Sequence, residues 1–442
     1  MGDRIVLKFG GTSMGTAEAM RKASAIVRAV DGDAVVVVSA VSGTTDALIA
    51  LGELALSGGR WQGALDRLMA RHATIVVELG MSLDLSEFWA EIERICQGVE
   101  MLGELSTATK DRLHGFGERM SATIFAELLL ADGARAQATD AFRLIATDDQ
   151  FGSASVDFAT TNARAAAILF PMLSESAIPV VTGFIGQSAS GKYSTLGRGG
   201  SDYSAAIVAA AVDATELQIW TDVDGMFTAD PNVISSATAL PHLSYLEAGE
   251  LAYFGAKVVH PKTIVPAIEK GIPVRVLNTF NPEAPGTLIT SEARPSIKSV
   301  TSKKKGITVI SVVSLGMLGA HGFLARIFET FARHEVVVDV VSTSEVSVSV
   351  TVDRAVPQGL LDDLRAFATV EVEPGMAIVC IVGDGIRTQP DVLARLFAAV
   401  GSIPVSMVSQ GASKRSVTFV VAETDANEAV RRVFEAFFLG QP

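Results

Sequence analysis

The sequence is poor in cysteine, in basic residues and in long apolar runs, and each shortage excludes a class of protein. Its two cysteines, Cys96 and Cys380, are far apart, which argues against a disulfide framework and a cysteine-based metal site. The net charge of -13 argues against a nucleic-acid partner, which favours a basic face. No apolar run reaches the roughly 18 residues that a membrane helix needs, so we expect no membrane partner. The chain begins almost directly with a strand and shows no signal peptide, which predicts a cytoplasmic location.

Length and composition indicate a globular protein with at least two domains. The chain has 442 residues, more than one hydrophobic core usually serves, with 49% hydrophobic and 19% charged residues. The six histidines show no metal-ligand spacing, so we expect no metal held by histidine. A phosphate site stays possible, because backbone N–H groups and a few local cations suffice for one nucleotide.

Residues 1–290 alternate short apolar runs with helical patterns. Strands are predicted at 5–9, 34–39, 178–186 and 216–220. Helices are predicted at 16–30 and 203–212, several more lie within 61–131, and a helix followed by a strand is predicted within 259–279. Runs such as AVVVVS are apolar on both faces, which is typical of parallel strands covered by helices. The pattern therefore predicts an α/β domain with a mainly parallel sheet.

The composition then changes, and an internal repeat follows. Residues 281–305 contain NPEAPGT, EARPS and SKKK, which predicts an interdomain linker, placed at 291–305. Two α+β modules are predicted at 306–374 and 375–442. The predicted strands are 307–314, 336–342, 346–353, 369–373, 377–382, 404–409 and 415–421, and the predicted helices are 322–334, 357–367, 389–399 and 424–438. Doubled modules of this kind behind an enzyme suggest ligand sensing.

The run KFGGTS, from Lys8 to Ser13, joins the first strand to the first helix. Gly10 and Gly11 allow the backbone to approach a ligand closely. A strand, a glycine turn and a helix start together present N–H groups that suit phosphate, and Lys8 adds a mobile cation for transferring oxygens. An ordinary tight turn with an exposed lysine explains the same residues equally well.

Two further polar runs are candidate site segments. In TLGRGGSDYSA, Arg198 lies among glycines and can bind a carboxylate with two parallel hydrogen bonds, and Asp202 lies where the next helix begins. In IWTDVDG, Thr221 and Asp222 follow a strand, where loops of a parallel sheet usually line a ligand crevice. A helix cap at Asp202 and a polar turn after the strand are the simpler alternatives.

Two other glycine motifs do not support a site. Residues 11–15 match G-x-S-x-G, but a nucleophile elbow needs upstream strands, and only one strand precedes it here. Residues 186–193 nearly match a phosphate-binding Walker loop, but Tyr193 replaces the hydroxyl residue that holds magnesium, so we predict a hairpin loop.

Together, KFGGTS, GRGGSDYSA, WTDV-G-T-DP and FGAKVVHP resemble the aspartate kinases of the amino-acid-kinase superfamily, in their order and spacing. The resemblance covers essentially the whole chain and is greatest to monofunctional, lysine-sensitive members with paired ACT domains. It implies a three-layer αβα kinase domain followed by two βαββαβ modules. It also implies ATP with Mg²⁺, and phosphorylation of L-aspartate to 4-phospho-L-aspartate, the first step of lysine, threonine and methionine biosynthesis.

The resemblance also implies roles for individual residues. Those for phosphoryl transfer are Lys8, Asp202 and Lys257. Those for aspartate binding are Ser39, Thr45, Glu118, Arg198 and Ser201, with Glu118 on the α-ammonium and Arg198 on the α-carboxylate. Those for the nucleotide are Lys8, Gly10, Gly11, Thr221, Asp222, Phe227, Asn232 and Lys257. The family often has tyrosine and arginine at the positions of Phe227 and Asn232, which puts these two nucleotide contacts in doubt.

The first repeat contains a candidate effector site. Gly319 and Gly322 flank a predicted helix start, where exposed N–H groups can receive an α-carboxylate. Asp339 and Glu345 supply two acids, which suit an effector with two ammonium groups, such as lysine. Resemblance to lysine-sensitive members extends the predicted site, which comprises Met317, Ala320, Phe323, Leu324, Val338, Asp339, Ser344 and Glu345. The alternative is an ordinary helix–strand unit with solvated acids.

The sequence leaves two other functions to be tested. One is a different acid kinase of the same fold, acting on glutamate or acetylglutamate. The other is an amino-acid sensor without catalysis, although the combination of Lys8, Arg198, Asp202 and Lys257 argues against it. The paired modules leave sheet edges that a second copy commonly covers, which predicts a homodimer through the repeat region.

Overall fold

The computed structural model describes residues 3–254, 261–318 and 321–439, apart from the side chains of Pro261 and residues 303–305. These residues form two compact units. The first consists of residues 1–226 and 258–291, and the second of residues 227–257 and 292–442. Residues 227–257, which we predicted within the catalytic domain, thus belong to the second unit.

The strands and helices are numbered in chain order. The strands are β1 (Arg4–Phe9), β2 (Asp33–Val38), β3 (Ala136–Thr139), β4 (Ala146–Thr147), β5 (Ile178–Thr182), β6 (Ile185–Ser188), β7 (Tyr193–Thr195), β8 (Glu216–Thr221), β9 (His242–Ser244), β10 (Val274–Asn278), β11 (Thr287–Thr290), β12 (Ser296–Val313), β13 (Val341–Thr343), β14 (Ser347–Val352), β15 (Thr369–Asp384), β16 (Met407–Gln410) and β17 (Ser416–Ala422). The helices are α1 (Ala17–Arg28), α2 (Thr44–Leu56), α3 (Gln62–Glu78), α4 (Ser86–Leu102), α5 (Thr107–His114), α6 (Phe116–Ala131), α7 (Phe158–Ser174), α8 (Gly200–Ala211), α9 (Tyr245–Tyr253), α10 (Val265–Glu269), α11 (Phe323–Arg333), α12 (Gln358–Arg365), α13 (Pro390–Val400) and α14 (Ala426–Phe434).

A mainly parallel sheet forms the centre of the first unit. Its strands lie in the order β3-β5-β2-β1-β8-β10, all parallel, and β11 then pairs antiparallel with β10. A smaller sheet has the order β4-β6-β7. The all-valine end of β2 is buried on both faces, as a strand between two helix layers must be.

Helices cover both faces of this sheet. Leu7 and Val36 point into one core, which also contains buried residues of α1 and α6. Val6 and Val35 alternate with them along the strands, so they face the opposite side, where α8 contacts β1 and β2. This arrangement confirms the predicted fold class of the first unit. Within the described ranges, no helix is both long and apolar enough to cross a membrane.

The second unit is built on an antiparallel sheet with the order β13-β14-β12-β15-β17-β16. Helices α11 and α12 cover one end of it through Ile327, Phe331 and Leu360. Helices α13 and α14 cover the other end through Leu396 and Val433. Each end is one of the two predicted α+β modules.

The long strands β12 and β15 run through both modules, which differs from the predicted linker. Residues 296–303 pair with 378–384 in the second module, and residues 308–313 pair with 369–374 in the first. The predicted strands 369–373 and 377–382 are both parts of β15. Gly306 and Gly375 have positive φ angles of 72° and 70°, and the β12–β15 register shifts beside them. The glycines permit the bulge at which the chain passes from one module to the other.

Part of the predicted strand 336–342 is also not a regular strand. Pairing with β14 is regular only at β13, from Val341. The N–H of Val340 donates to the side-chain hydroxyl of Thr351 at 2.9 Å, so it is not available to a β14 carbonyl. The Asp339 N–H instead donates to the Thr351 carbonyl, and the Thr351 N–H donates to the Val340 carbonyl, so two residues oppose Thr351 and regular pairing begins at Val341.

Candidate active site

A cavity of about 930 Å³ in the first unit lies at the carboxyl ends of β1, β2 and β8. Its volume is within the range of roughly 300–1,000 Å³ that is usual for small-molecule sites. It is lined by most of the predicted site residues, namely Lys8, Gly10, Gly11, Ser39, Thr45, Glu118, Arg198, Ser201, Asp202, Thr221 and Asp222. The parallel sheet thus brings together glycine-rich runs that are far apart in sequence.

Lys8 forms a close ion pair in this cavity. Its Nζ lies 2.6 Å from Oδ1 of Asp202, which is in the first turn of α8. A Cβ atom at Gly10 would lie 3.6 Å from this Nζ and 3.7 Å from the Trp220 carbonyl oxygen. Glycine at position 10 therefore leaves room beside the ammonium group, and Asp202 holds that group at the cavity wall.

Two helices begin at the cavity. Its lining includes residues 43, 45 and 46 at the start of α2, and residues 199–202 at the start of α8. Gly43 and Gly199 immediately precede these helices, each with a φ angle of 74°. The unpaired N–H groups of a helix start favour anions, so this cavity is electrostatically suited to phosphate or carboxylate groups.

Glu118 is an acid without a cation of its own. It lies in the first turn of α6 and is only 3% exposed. No described residue forms a hydrogen bond with its Oε2. Burial raises the pKa of the Glu118 carboxyl to about 8, against the opposing effects of the Ala40 and Glu118 N–H groups and of the Lys8 charge. A buried acid of this kind is suited to bind an ammonium group.

Tight packing holds the Arg198 loop. Gly197 and Gly199 have φ angles of 76° and 74°, and a Cβ atom at Gly200 would lie 2.6 Å from the Phe184 ring. The side chain of Arg198 is exposed, and no described residue forms a hydrogen bond or ion pair with it. The guanidinium group therefore remains available to a ligand.

Asp111 and Phe184 are among the lining residues that the sequence did not reveal. Asp111 of α5 is 1% exposed and accepts hydrogen bonds from Gly152 and Thr195. Phe184 has a φ angle of 71°, which is strained for a phenylalanine, and its N–H donates to the Ser204 hydroxyl. Asp111 lies on an ordinary helical pattern, so no local signal marked it. The TGF run that ends at Phe184 offered only a weak turn signal.

The described lining of this cavity does not include Phe227 and Asn232, two of the residues predicted to bind ATP. Phe227 and Asn232 belong to the second unit. There, the Phe227 carbonyl accepts a hydrogen bond from Ser299, and the Asn232 side chain donates to Asp230. Lys257 lies outside the described residues. The nucleotide roles of all three stay predictions.

Comparison with known proteins places the chain in a family. The amino acid kinase family matches residues 3–278, and the ACT domain family matches residues 310–356 and 379–437. Lysine-sensitive aspartokinase 3 of Escherichia coli is 36% identical, over 99% of this chain and 100% of its own length. The chain belongs to the aspartokinase family. This confirms the family that the sequence motifs resemble.

Two solved structures extend the aspartokinase likeness to the fold. One is E. coli aspartokinase III in complex with aspartate and ADP, called the R-state, with a TM-score of 0.85 and 36% identity. It covers 99% of this chain and 100% of that one. The other is the same enzyme in complex with lysine and aspartate, called the T-state, with a TM-score of 0.82, 36% identity and coverage of 98% and 99%.

The predicted effector residues of this aspartokinase-family chain lie in the first ACT module. Phe323 and Leu324 begin α11, and Gly322, with a φ angle of 80°, precedes them. Val338 and Asp339 precede β13, while Ser344 and Glu345 lie in the turn between β13 and β14. Oδ1 of Asp339 accepts a hydrogen bond of 2.5 Å from the Tyr253 hydroxyl of α9. Met317 ends a 3-10 turn, and Ala320 lies outside the described residues.

A protein-held metal has no support among the residues that the structure describes. No group of three or more His, Cys, Asp or Glu side chains there could hold a metal ion. Magnesium in aspartokinase-family chemistry does not require such a group, because Mg²⁺ is usually held by substrate phosphates and waters with one or two carboxylates. Asp202 and Asp222 are carboxylates in the cavity lining.

Proposed function

We propose that this chain transfers the γ-phosphoryl group of MgATP to the side-chain carboxylate of L-aspartate, giving 4-phospho-L-aspartate and ADP. The observation that supports this most directly is the joint presence of Lys8, Glu118 and Arg198 on one cavity wall. Two cations and one buried acid match the two carboxylates and one ammonium group of aspartate. The solved E. coli relative that contains aspartate and ADP supports the same pair of substrates.

The reaction needs charge neutralisation more than proton transfer. An oxygen of the aspartate side chain attacks the γ-phosphorus, and the bond between that phosphorus and the β,γ-bridging oxygen breaks. The attacking carboxylate is already ionised, so no general base is required. Lys8, the N–H groups at the starts of α2 and α8, and the Mg²⁺ that accompanies ATP reduce the repulsion between these anions.

The proposed subsites follow from charge. The buried Glu118 carboxylate binds the α-ammonium group of aspartate, and Arg198 binds its α-carboxylate with Ser39, Thr45 and Ser201 nearby. Gly10, Gly11, Thr221 and Asp222 face the nucleotide, and Asp202 orients Lys8. The nucleotide roles of Phe227, Asn232 and Lys257 rest on the family motifs alone.

This assignment of subsites is tested by charge removal. In the Glu118→Gln and Arg198→Ala proteins, the KM for aspartate should rise at least about tenfold, because each loses a charge-assisted contact. The KM for ATP should change little. A mainly ATP-directed defect in either variant would show that the two subsites are exchanged.

We further propose that lysine inhibits the enzyme through the first ACT module, where Asp339 and Glu345 flank β13, the strand that follows α11 in sequence. The solved E. coli relative in complex with lysine supports lysine as the effector. Inhibition by lysine, threonine and methionine should be compared in the parent protein and in Asp339→Ala. A parent protein insensitive to lysine, or a variant inhibited as strongly as the parent, would contradict this site.

A homodimer through the ACT modules is part of the same proposal. Strands β13 and β16 end the sheet of the second unit, and sheet edges are commonly covered by a second copy. Light scattering should give twice the chain mass at assay concentration, and a fully active monomer would contradict the dimer. A cytoplasmic location stays a prediction.

A further inference from the structure

Asp111 connects three parts of the chain that are distant in sequence. It lies on α5, and its Oδ2 accepts hydrogen bonds of 2.8 Å from the N–H groups of Gly152 and Thr195. Its Oδ1 accepts a hydrogen bond of 3.0 Å from the Thr195 hydroxyl. Both carboxylate oxygens are therefore used, and the side chain is 1% exposed. Truncation of a buried acid with three donors leaves those donors unpaired, which gives this contact a large effect.

The residues that Asp111 binds form the base of the Arg198 loop. Thr195 ends β7, and its carbonyl accepts from Ala154 at 2.9 Å. A Cβ atom at Gly197 would lie 3.3 Å from the Gly152 carbonyl oxygen, so the Gly152 loop lies directly against it. The position of the backbone at Arg198 therefore depends on the two segments that Asp111 holds.

The orientation of Arg198 must come from its backbone. No described residue forms a hydrogen bond or ion pair with the Arg198 side chain, so no other side chain fixes its orientation. Glu118 is placed by the neighbouring part of the chain, because α5 ends at His114 and α6 begins at Phe116. Asp111 thus attaches the Arg198 loop to the same pair of helices that carries Glu118.

We propose that Asp111 is a positioning residue that sets the separation between Arg198 and Glu118, and thereby the fit of the α-carboxylate and α-ammonium groups of the amino-acid substrate. This inference rests on the proposed function of the cavity. Asp111 itself acts through the Gly152 and Thr195 backbone. A buried acid that served stability alone would leave the affinity for aspartate unchanged in the protein that folds.

The test compares Asp111→Ala with Asp111→Asn in the full chain. Asp111→Ala should raise the KM for aspartate at least roughly tenfold, with the KM for ATP unchanged, because the loop loses its three hydrogen bonds. Asp111→Asn should restore most of the affinity, since its amide oxygen can accept from both N–H groups and its amide nitrogen can donate to the Thr195 hydroxyl. A lower kcat with unchanged KM for aspartate would overturn the inference, because it indicates only loss of active protein.

A double-mutant cycle identifies the residue through which Asp111 acts. In an Arg198→Ala background, Asp111→Ala should cause little further rise in the KM for aspartate. Fully multiplicative effects would overturn a role through Arg198. Asp157→Ala is the matched control, because Asp157 accepts two hydrogen bonds from Thr160 at the start of α7 and does not line the cavity. Its KM for aspartate should equal that of the parent protein.

If Asp111→Ala does not fold, Thr195→Val provides the measurement. It removes the hydroxyl bond to Asp111 and keeps both backbone bonds, so the KM for aspartate should rise roughly threefold. An unchanged KM for aspartate in the folded Thr195→Val protein would overturn the inference. Measurements on the parent protein distinguish failure of the proposed function from failure of the positioning role. Absence of aspartate-dependent ATP turnover there refutes the proposed function and the positioning role together, whereas parent activity with unaffected variants refutes the positioning role alone.

Discussion

Lys8 and Glu118 share one cavity but are in opposite electrostatic situations. The ammonium group of Lys8 lies 2.6 Å from the Asp202 carboxylate, so its charge is already balanced by the protein. Glu118 is buried and its Oε2 has no hydrogen-bond partner among the described residues, so burial disfavours ionisation of this carboxyl. Lys8 is therefore suited to stabilise a developing negative charge, and Glu118 is suited to bind a cation.

Replacement of Lys8 by alanine should reduce kcat without unfolding the protein. Loss of a single group that stabilises transition-state charge typically reduces kcat by roughly 10²- to 10³-fold. Steady-state kinetics and thermal unfolding of Lys8→Ala are the measurements. Lys270→Ala serves as the control, since Lys270 pairs with Asp213 on the surface and does not line the cavity. Near-parental kcat in folded Lys8→Ala protein would exclude a catalytic role.

The pKa of Glu118 predicts how aspartate binding depends on pH. Because burial raises this pKa from 4.5 to about 8, the Glu118 carboxyl is mainly protonated below that value. Binding an ammonium group requires the carboxylate, so the KM for aspartate should fall as pH rises toward 8. Glu118→Gln should remove this dependence, while the pH profile of the KM for ATP serves as an internal reference. A pH-independent KM for aspartate in the parent protein would contradict the assignment.

The raised pKa of Glu118 also predicts that the free energy of unfolding falls as pH rises, whereas aspartate binding should improve. A carboxyl whose pKa is higher in the folded state binds protons more strongly there than in the unfolded chain. Its contribution to stability is present below the ordinary pKa of 4.5 and is lost as pH rises through about 8. In chemical denaturation, Glu118→Gln should therefore show a smaller decrease in the free energy of unfolding over this interval than the parent protein.

At the scale of secondary-structure elements, the sequence correctly predicted the strands and glycine-rich runs that depend only on local residue patterns. Local signals marked the apolar strand β1, the glycines after it and the GRGGSD run at the start of α8. Residues from all three segments line the cavity. The first half of β12 could not be recognised, because its lysines and the prolines that precede it give this stretch the composition of a linker, while its partner β15 is far away in sequence. Asp111 was missed for a related reason, since its function depends on Gly152 and Thr195 and not on its own helix.

Helix α9 offers a prediction about inhibition. The Tyr253 hydroxyl donates a hydrogen bond to Asp339. Burial of the phenol and the neighbouring Asp339 carboxylate raise the pKa of Tyr253, so its hydroxyl stays protonated and remains a donor. An effector ammonium group would compete with that hydroxyl for the same carboxylate. Tyr253→Phe should therefore be inhibited by several-fold lower lysine concentrations, with uninhibited turnover unchanged. Tyr245→Phe, at the other end of α9, is the control. Weaker inhibition of Tyr253→Phe would show that the hydroxyl assists lysine binding.

At the scale of the whole molecule, the two units divide the proposed tasks. The first unit carries the cavity in which the charged groups for substrate binding and phosphoryl transfer meet. The second contains two ACT modules that share β12 and β15, so they form one continuous sheet and not two independent domains. Lys257, a predicted nucleotide residue, follows α9 in sequence, and α9 belongs to the second unit.

The acceptor specificity of this chain tests the proposed phosphorylation of aspartate. The most direct measurement is ADP release by the purified protein with MgATP and, in parallel, L-aspartate, L-glutamate or N-acetyl-L-glutamate as acceptor. If Glu118 and Arg198 bind both α-groups as proposed, one extra methylene misplaces the attacking carboxylate, and an acetyl group removes the ammonium charge. We expect a kcat/KM for aspartate that exceeds that for glutamate by roughly 10- to 100-fold, and negligible turnover of acetylglutamate. Equal or faster turnover of either alternative, or no turnover of aspartate by the folded protein, would contradict it.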